Sequence, residues 1–235
     1  MGELGAYTEE DVTRLAQEAY DQGAASFDLV RRCAALLVID MQDEFVKPGW
    51  APCWVPQATR IIPRVAEVLE AARRARLPVI HTAFADTHAF LDRPKSGAFM
   101  PNRYPAEPSD GLCVTPRFPA ELTPRPDEIV ILKPSYGAFY DTPLDTILRN
   151  LERDTVIVTG TMTNLCCSTT ARQAYERGYR VVFGSDVTAT NDAAIQEAEI
   201  RTQRYGFSRV LAGSEIVALL DELAGSHTAS ARHRE

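Results

Sequence analysis

Short, almost wholly apolar runs alternate along the chain with longer stretches whose apolar residues recur every three or four positions. The short runs are Ala34–Ile39, Val79–Phe84, Ile129–Leu132, Thr155–Thr159 and Arg180–Phe183. They are nearly continuous in apolar character, the pattern of strands covered on both faces. Among the longer stretches, Ile61, Val65, Val68, Leu69 and Ala72 form one helical stripe. Cys167, Thr170, Ala171, Ala174 and Tyr175 form a second, and Ala193, Ala194, Glu197 and Ile200 fall in a third. The segment after Ser214 reads as a fourth helix, with Ser214 as its N-cap. Residues 8–22 read as an N-terminal helix capped by Thr8, with Val12, Leu15, Ala16 and Ala19 on one face. Strand and helix alternation predicts an α/β fold: an open parallel sheet with helices on both faces, a Rossmann-like three-layer arrangement.

The predicted organisation is a single domain over 1–224, with 1–33 as an N-terminal helical extension. Residues 85–127 hold eight of the fifteen prolines and no clean periodicity. A loop of that length inside a compact domain reads as a lid or a binding segment. Residues 225–235 read as a flexible tail. No internal repeat is visible.

Composition narrows the function. With 235 residues, 45% of them hydrophobic, the chain buries a core without disulfide or metal staples. The formal net charge is −7 and no basic cluster stands out, so nucleic acid is not an expected partner. No apolar run approaches the ~20 residues of a membrane-spanning helix, and the first residues lack the basic patch and apolar stretch of a signal peptide. The five cysteines are odd in number and two are adjacent, a poor disulfide framework, and no CxxC or Cys/His cluster suggests structural zinc. The reading is a reduced, cytoplasmic protein.

In an open parallel sheet, ligands bind outside the carboxyl ends of the strands. The first strand ends at Asp40, the third at Lys133, and the fourth runs into Gly160-Thr161-Met162-Thr163-Asn164-Leu165-Cys166-Cys167. A carboxylate, an amine and a thiol are thus expected at one edge. Each alone has a plain structural role: a strand-end turn, a surface lysine, small core residues. The chain has only three lysines against twenty-two arginines, so a lysine directly after a buried strand is unusual here. Cys167 starts an apolar stripe and reads as core. Cys166 lies one residue off that stripe near a helix start, where the helix dipole and backbone N–H groups are expected to lower its pKa.

These residues sit in stretches that resemble a known family, the isochorismatase-like cysteine hydrolases. Leu37-Val38-Ile39-Asp40-Met41-Gln42-Asp43-Glu44-Phe45 is similar to the first signature. Lys133 with Gly137-Ala138-Phe139 is similar to the second, where Gly137 replaces the usual Ser. Gly160 to Ala171, containing Thr163-Asn164-Leu165-Cys166, is similar to the third, where Cys167 replaces the usual Val. The resemblance covers about 34 to 213. It implies a six-stranded parallel sheet and a Cys166–Asp40–Lys133 triad. It also implies an oxyanion hole from the backbone amides of Met162 and Cys166, and a non-proline cis peptide between Thr161 and Met162.

The chemistry expected of such residues is cysteine-dependent hydrolysis of a C–N bond in a small amide, ureido or lactam substrate, through a thioester. Isochorismatases that cleave a vinyl ether lack the cysteine, so Cys166 speaks for C–N hydrolysis; a vinyl-ether hydrolase and a non-catalytic binder remain the alternatives. Residues 133–145 resemble ureidoacrylate amidohydrolases, whereas the N-terminal helix resembles the N-carbamoylsarcosine amidase and streptothricin hydrolase branches. The nicotinamidase branch binds a metal through Asp-x-His and a further His. Asp86 and His88 match the first part only, so no metal and no cofactor are expected. Phe45, Trp50 and Trp54 follow the first strand, and Tyr136, Phe139 and Tyr140 the third. Phe45, Trp50, Tyr136 and Phe139 are the candidate substrate-binding residues, with core packing as the other reading. By resemblance, the chain is expected to form a homodimer or homotetramer.

Overall fold

Six residues without a polar side chain, Ala34–Ile39, form β1, and all six are fully buried. The computed structural model describes residues 7–23, 25–85, 87, 88, 91–94 and 115–231. Five further strands join β1: β2 (Val79–Phe84), β3 (Ile129–Lys133), β4 (Thr155–Thr161), β5 (Arg180–Ala189) and β6 (Arg209–Leu211). Every neighbouring pair is parallel and the order is β3-β2-β1-β4-β5-β6. The helices are α1 (Glu9–Gln22), α2 (Asp43–Val46), α3 (Pro56–Arg74), α4 (Leu144–Asn150), α5 (Ser168–Glu176), α6 (Ala193–Gly206) and α7 (Gly213–Ala231).

The core lies in two layers, one on each side of the sheet. Leu36, Val38, Ile157 and Val182 face α3 and α7, meeting Ile61, Val65, Val68, Leu69, Ala72, Ile216 and Leu220. Leu37, Ile39, Ile80, Ile131, Val156 and Val158 face the other way, onto Leu144 and Leu148 of α4, Ala171 and Ala174 of α5, and Ile200 of α6. Alternate residues of each central strand serve opposite layers, so the strands read as continuous apolar runs.

The chain winds outward from β1 to β3, returns, and winds the other way from β4 to β6. The carboxyl ends of β1 and β4 therefore flank the point where the order reverses, the usual ligand crevice of such sheets. There the two strands come unusually close. Gly160 pairs with Ile39 and has φ +119°, and a Cβ on it would stand 2.0 Å from the Ile39 carbonyl oxygen. Only glycine fits beside the residue that precedes Asp40.

Several expectations need correction. Tyr175 is not on the buried side of α5: it is 49% exposed and meets Phe207 edge-on. Thr8 does cap α1, in a reciprocal pair with Asp11. Yet Val12 and Leu15 are 50% and 43% exposed, because α1 docks on α6 through Tyr20, stacked on Tyr205 at 4.4 Å, and through Asp21. Ser214 lies inside α7, whose start is held instead by Asp186, accepting from the Gly213 amide at 2.6 Å, and Glu215, accepting from Ala212 at 2.7 Å. The helix continues to Ala231, past the start of the predicted tail. Helix α4 and strand β6 carry no clear periodicity; β6 has only three residues. Most of the predicted lid lies outside the described residues. Its return is tied down where Arg117 accepts the Asp43 amide at 2.8 Å through its carbonyl oxygen. No described helix is long and apolar enough to cross a membrane.

Candidate active site

Asp40 follows β1 and takes a left-handed backbone conformation, φ +50°. Its carboxylate is fully buried and held on two sides. Oδ1 accepts from the Thr82 hydroxyl at 2.7 Å, and Oδ2 lies 2.7 Å from Nζ of Lys133. Thr82 also accepts the Asp40 amide at 3.2 Å, so the strand beside β1 fixes both backbone and side chain. Lys133 ends β3 and is itself fully buried. Its ammonium donates to the Ser135 carbonyl at 2.9 Å and sits 4.8 Å from the Phe84 ring centroid. Burial works against its charge, but Asp40 and Cys166 outweigh that and hold its pKa above the ordinary lysine value.

Cys166 comes to the same place from β4. Between β4 and α5, residues Thr163–Cys167 form a wide π-type turn, with the amides of Leu165 and Cys167 both donating to the Met162 carbonyl at 3.1 Å. The Thr161–Met162 peptide bond that opens this turn is cis. Thr170 donates to the Cys166 carbonyl at 2.6 Å and accepts from the Ala138 amide at 3.0 Å, joining the turn to the segment after β3. The Cys166 thiol is buried, and Asp40 and Lys133 both act on its charge. Burial pushes the thiol up to about 12, Lys133 pulls it down and Asp40 pushes it up again. The expected lowering at a helix start does not occur: desolvation and the neighbouring carboxylate outweigh backbone dipoles. At rest the group is a neutral thiol beside a carboxylate. Cys167 is buried and pushed well above the ordinary thiol value by burial first.

A carboxylate, an ammonium and a thiol from three different strand ends thus meet at the switch point. The isochorismatase domain model matches residues 34–215, a span that contains all three. The chain belongs to the isochorismatase family. It is 34% identical over 177 residues to nicotinamidase 3 of Arabidopsis thaliana, covering 75% of this chain and 83% of that one. It is 30% identical over 206 residues to ureidoacrylate amidohydrolase RutB of Methylorubrum extorquens, covering 80% and 83%. Among solved structures, a cysteine hydrolase from Pseudomonas syringae pv. phaseolicola superposes with a TM-score of 0.76 at 27% identity, covering 84% of this chain and 97% of that one.

Within this isochorismatase-family site the aromatic side chains divide. Phe84 carries Tyr136 stacked at 6.1 Å and Phe45 tilted at 6.5 Å, so these two line up beside Lys133. Trp50 carries Lys47 at 4.1 Å and Arg117 at 4.5 Å from its ring. Phe139 faces Tyr179 at 5.6 Å and Arg177 at 5.1 Å, within the core layer on the α5 side. Trp54 donates to the Thr59 hydroxyl at 2.9 Å, and Tyr140 is partly exposed. Sequence reasoning missed Thr82 and Phe84, which position Asp40 and Lys133. A threonine next to a histidine in a mostly apolar strand was the available signal. It also missed Gln42, whose side chain accepts from the Phe84 amide at 2.7 Å and donates to its carbonyl at 3.1 Å, pinning β2 to the turn after Asp40.

Asp86 lies outside the described residues. His88 is 81% exposed, with Nδ1 3.1 Å from Asp92. Among the described residues no three His, Cys, Asp or Glu side chains are grouped to hold a metal.

Proposed function

We propose that this protein hydrolyses a C–N bond of a small amide, ureido or lactam substrate, with Cys166 as nucleophile, Asp40 as general base and acid, and Lys133 holding Asp40 in place and balancing its charge. The observation that carries this reading is the fully buried 2.7 Å contact between Asp40 and Lys133, with both groups acting on the buried Cys166 thiol. The names of the two curated relatives, a nicotinamidase and a ureidoacrylate amidohydrolase, support the bond class.

The steps follow from the side chains. As Sγ attacks the carbonyl carbon, its proton passes to Asp40 and the carbonyl oxygen becomes an oxyanion. The backbone amides of Met162 and Cys166 are assigned to that oxyanion, a contribution of about 3–4 kcal/mol per donor in comparable sites. The C–N bond then breaks and Asp40 returns the proton to the leaving nitrogen, leaving a thioester on Cys166. Asp40 next takes a proton from water as the water attacks the thioester, and the acid leaves as the proton returns to Sγ. A neutral resting thiol suits this sequence, because the charge is created only during attack.

The test is release of ammonia or amine from ureidoacrylate, N-carbamoyl amino acids, nicotinamide, maleamate and biuret, with ring opening of a streptothricin-type lactam followed by mass. Wild type and Cys166→Ala are run side by side. Cysteine-dependent turnover is the expected outcome; equal turnover by both proteins overturns the reading. A reducing, cytoplasmic setting and a homodimeric or homotetrameric state belong to the same proposal, the latter read by analytical ultracentrifugation.

A further inference from the structure

We infer that Gln196 is a positioning residue of this site: through the Thr163 hydroxyl it fixes the turn that presents Cys166 and the backbone amides proposed for the oxyanion. The inference rests on the C–N hydrolase reading and deepens it.

Thr163 opens the turn Thr163–Cys167, directly after Met162 and ahead of Cys166. Its side chain is fully buried, so its hydroxyl needs an acceptor, and it donates to Oε1 of Gln196 at 2.7 Å. Gln196 stands in the first turn of α6. Its Nε2 donates to the carbonyl oxygens of Ser185 at 3.2 Å and Thr188 at 3.1 Å. A primary amide held this way has one orientation, because a flip would set its oxygen against two carbonyl oxygens. The acceptor is therefore aimed at Thr163.

Strand β5 supplies those carbonyls because it bulges. Val158 of β4 pairs with Phe183 and Gly160 with Thr188, so β5 uses more residues than β4 over the same interval. Such a bulge disrupts the ladder and re-aims the chain beside a site. Ser185 lies within it. The end of β5 holds the turn a second time, where the Thr161 hydroxyl donates to the Ala189 carbonyl at 3.1 Å. Met162 is thus gripped through both of its neighbours. Close packing does not do this work at Gln196, which lines a cavity of about 270 Å³ together with Gln57, Ile61, Arg64 and Thr190. Its side chain has room to leave, so its hydrogen bonds set where it stays. An oxyanion donor acts only within about 2.7–3.1 Å of the developing charge. A turn released from Gln196 therefore keeps its thiol and loses stabilisation of the oxyanion.

Two reagents separate those effects without a known substrate. With para-nitrophenyl acetate, Sγ bonds to the acetyl carbon through a tetrahedral oxyanion, the thiol proton passes to Asp40, and the C–O bond to para-nitrophenolate breaks. With iodoacetamide, Sγ displaces iodide from a saturated carbon and no oxyanion forms. Acylation is read as nitrophenolate release above that of Cys166→Ala, and alkylation of Cys166 by peptide mass. Wild type, Gln196→Ala, Thr163→Val, Thr163→Ser and the double variant Thr163→Val with Gln196→Ala are compared. The acylation-to-alkylation rate ratio is expected to fall about tenfold in Gln196→Ala and in Thr163→Val, a fraction of the loss on deleting an oxyanion donor outright. Thr163→Ser, which keeps the hydroxyl, is expected to retain most of the ratio. The double variant is expected to fall no further than the larger single loss, because the two residues act through one hydrogen bond. An unchanged ratio, a parallel fall with both reagents, or additive losses overturns the inference while leaving the nucleophile in place. So does a wild type that is alkylated and not acylated. Failure of both reagents at Cys166 in wild type overturns the nucleophile reading and this inference with it.

Discussion

Nζ of Lys133 lies 2.7 Å from Oδ2 of Asp40, and neither side chain reaches solvent. Two charges in that setting stabilise the fold only as a pair, because each alone is a desolvated ion. Lys133→Met is therefore expected to lower unfolding free energy by about 3–5 kcal/mol and to abolish turnover. Lys133→Met combined with Asp40→Asn is expected to lose less than the sum of the single changes, since the second removes the stranded charge. Urea denaturation of the four proteins measures this. A loss below about 1 kcal/mol for Lys133→Met would mean that water reaches the pair, contrary to its burial.

The Cys166 thiol, pushed up to about 12 by burial first and by Asp40, sets a pH signature. Its alkylation by iodoacetamide is expected to keep rising above pH 9 rather than level off near 8.5, the value of an ordinary thiol. Asp40→Asn removes a charge that raises the thiol, so the profile moves to lower pH. Lys133→Met removes one that lowers it, so the profile moves up. Stability follows the same shift. A raised folded pKa gives stability that is complete below the unfolded thiol value of about 9 and is lost as pH rises toward about 12. Cys166→Ala is expected to flatten that alkaline decline. A wild-type alkylation plateau at pH 8.5 would contradict the buried, neutral thiol.

Much of this arrangement is written in the pattern of residues. β1 reads directly because both faces of the sheet are covered and no polar residue interrupts it, and β2 reads because its two polar residues, His81 and Thr82, stand inside an otherwise apolar run. Asp40, Lys133 and Cys166 stand out because a charged or reactive residue directly after such a run must be accommodated at the sheet edge. β6 and α4 do not read, being too short for a period to repeat. Tyr175 misleads because a spacing rule gives the angle around a helix but not the width of the covered stripe. The Cys166 pKa misleads because the helix-start argument needs only local sequence, whereas desolvation comes from Asp40, Lys133 and the packing of distant strands.

Gly137 and Gln173 form a coupled pair. A Cβ on Gly137 would stand 2.1 Å from Oε1 of Gln173, which accepts the Phe139 amide at 3.2 Å. The family resemblance has Ser where this chain has Gly137, and the glutamine occupies the space that the serine side chain would need. Gly137→Ser is expected to lower stability by about 1–3 kcal/mol through overpacking. Gln173→Ala alone is expected to cost about 1 kcal/mol by leaving the Phe139 amide without its acceptor. The double variant is expected to lose less than the two together, since the second change empties the space demanded by the first. Strict additivity in thermal or urea unfolding would show that the glutamine swings away freely.

Glu128, one residue before β3, anchors the strand that carries Lys133. Its carboxylate accepts from Arg73 at 2.7 and 2.8 Å and from the Arg125 amide at 2.9 Å, and it lies 3.1 Å from Nε2 of buried His81. Burial raises its pKa, but Arg73, the Arg125 amide and His81 outweigh burial and draw it down to about 2. A lowered folded pKa gives stability that is complete above the ordinary value of 4.5 and is lost as pH falls through about 2. Wild type is thus expected to lose stability between pH 4.5 and 2. Glu128→Gln is expected to be weaker by about 3 kcal/mol at neutral pH, with a flatter profile over that window. It is also expected to lower turnover near neutrality, because the amino end of β3 is held less firmly and Lys133 lies at the other end. Urea midpoints taken at each pH, alongside kcat, separate the two effects. An acid decline as steep in Glu128→Gln as in wild type would assign acid sensitivity to other carboxylates.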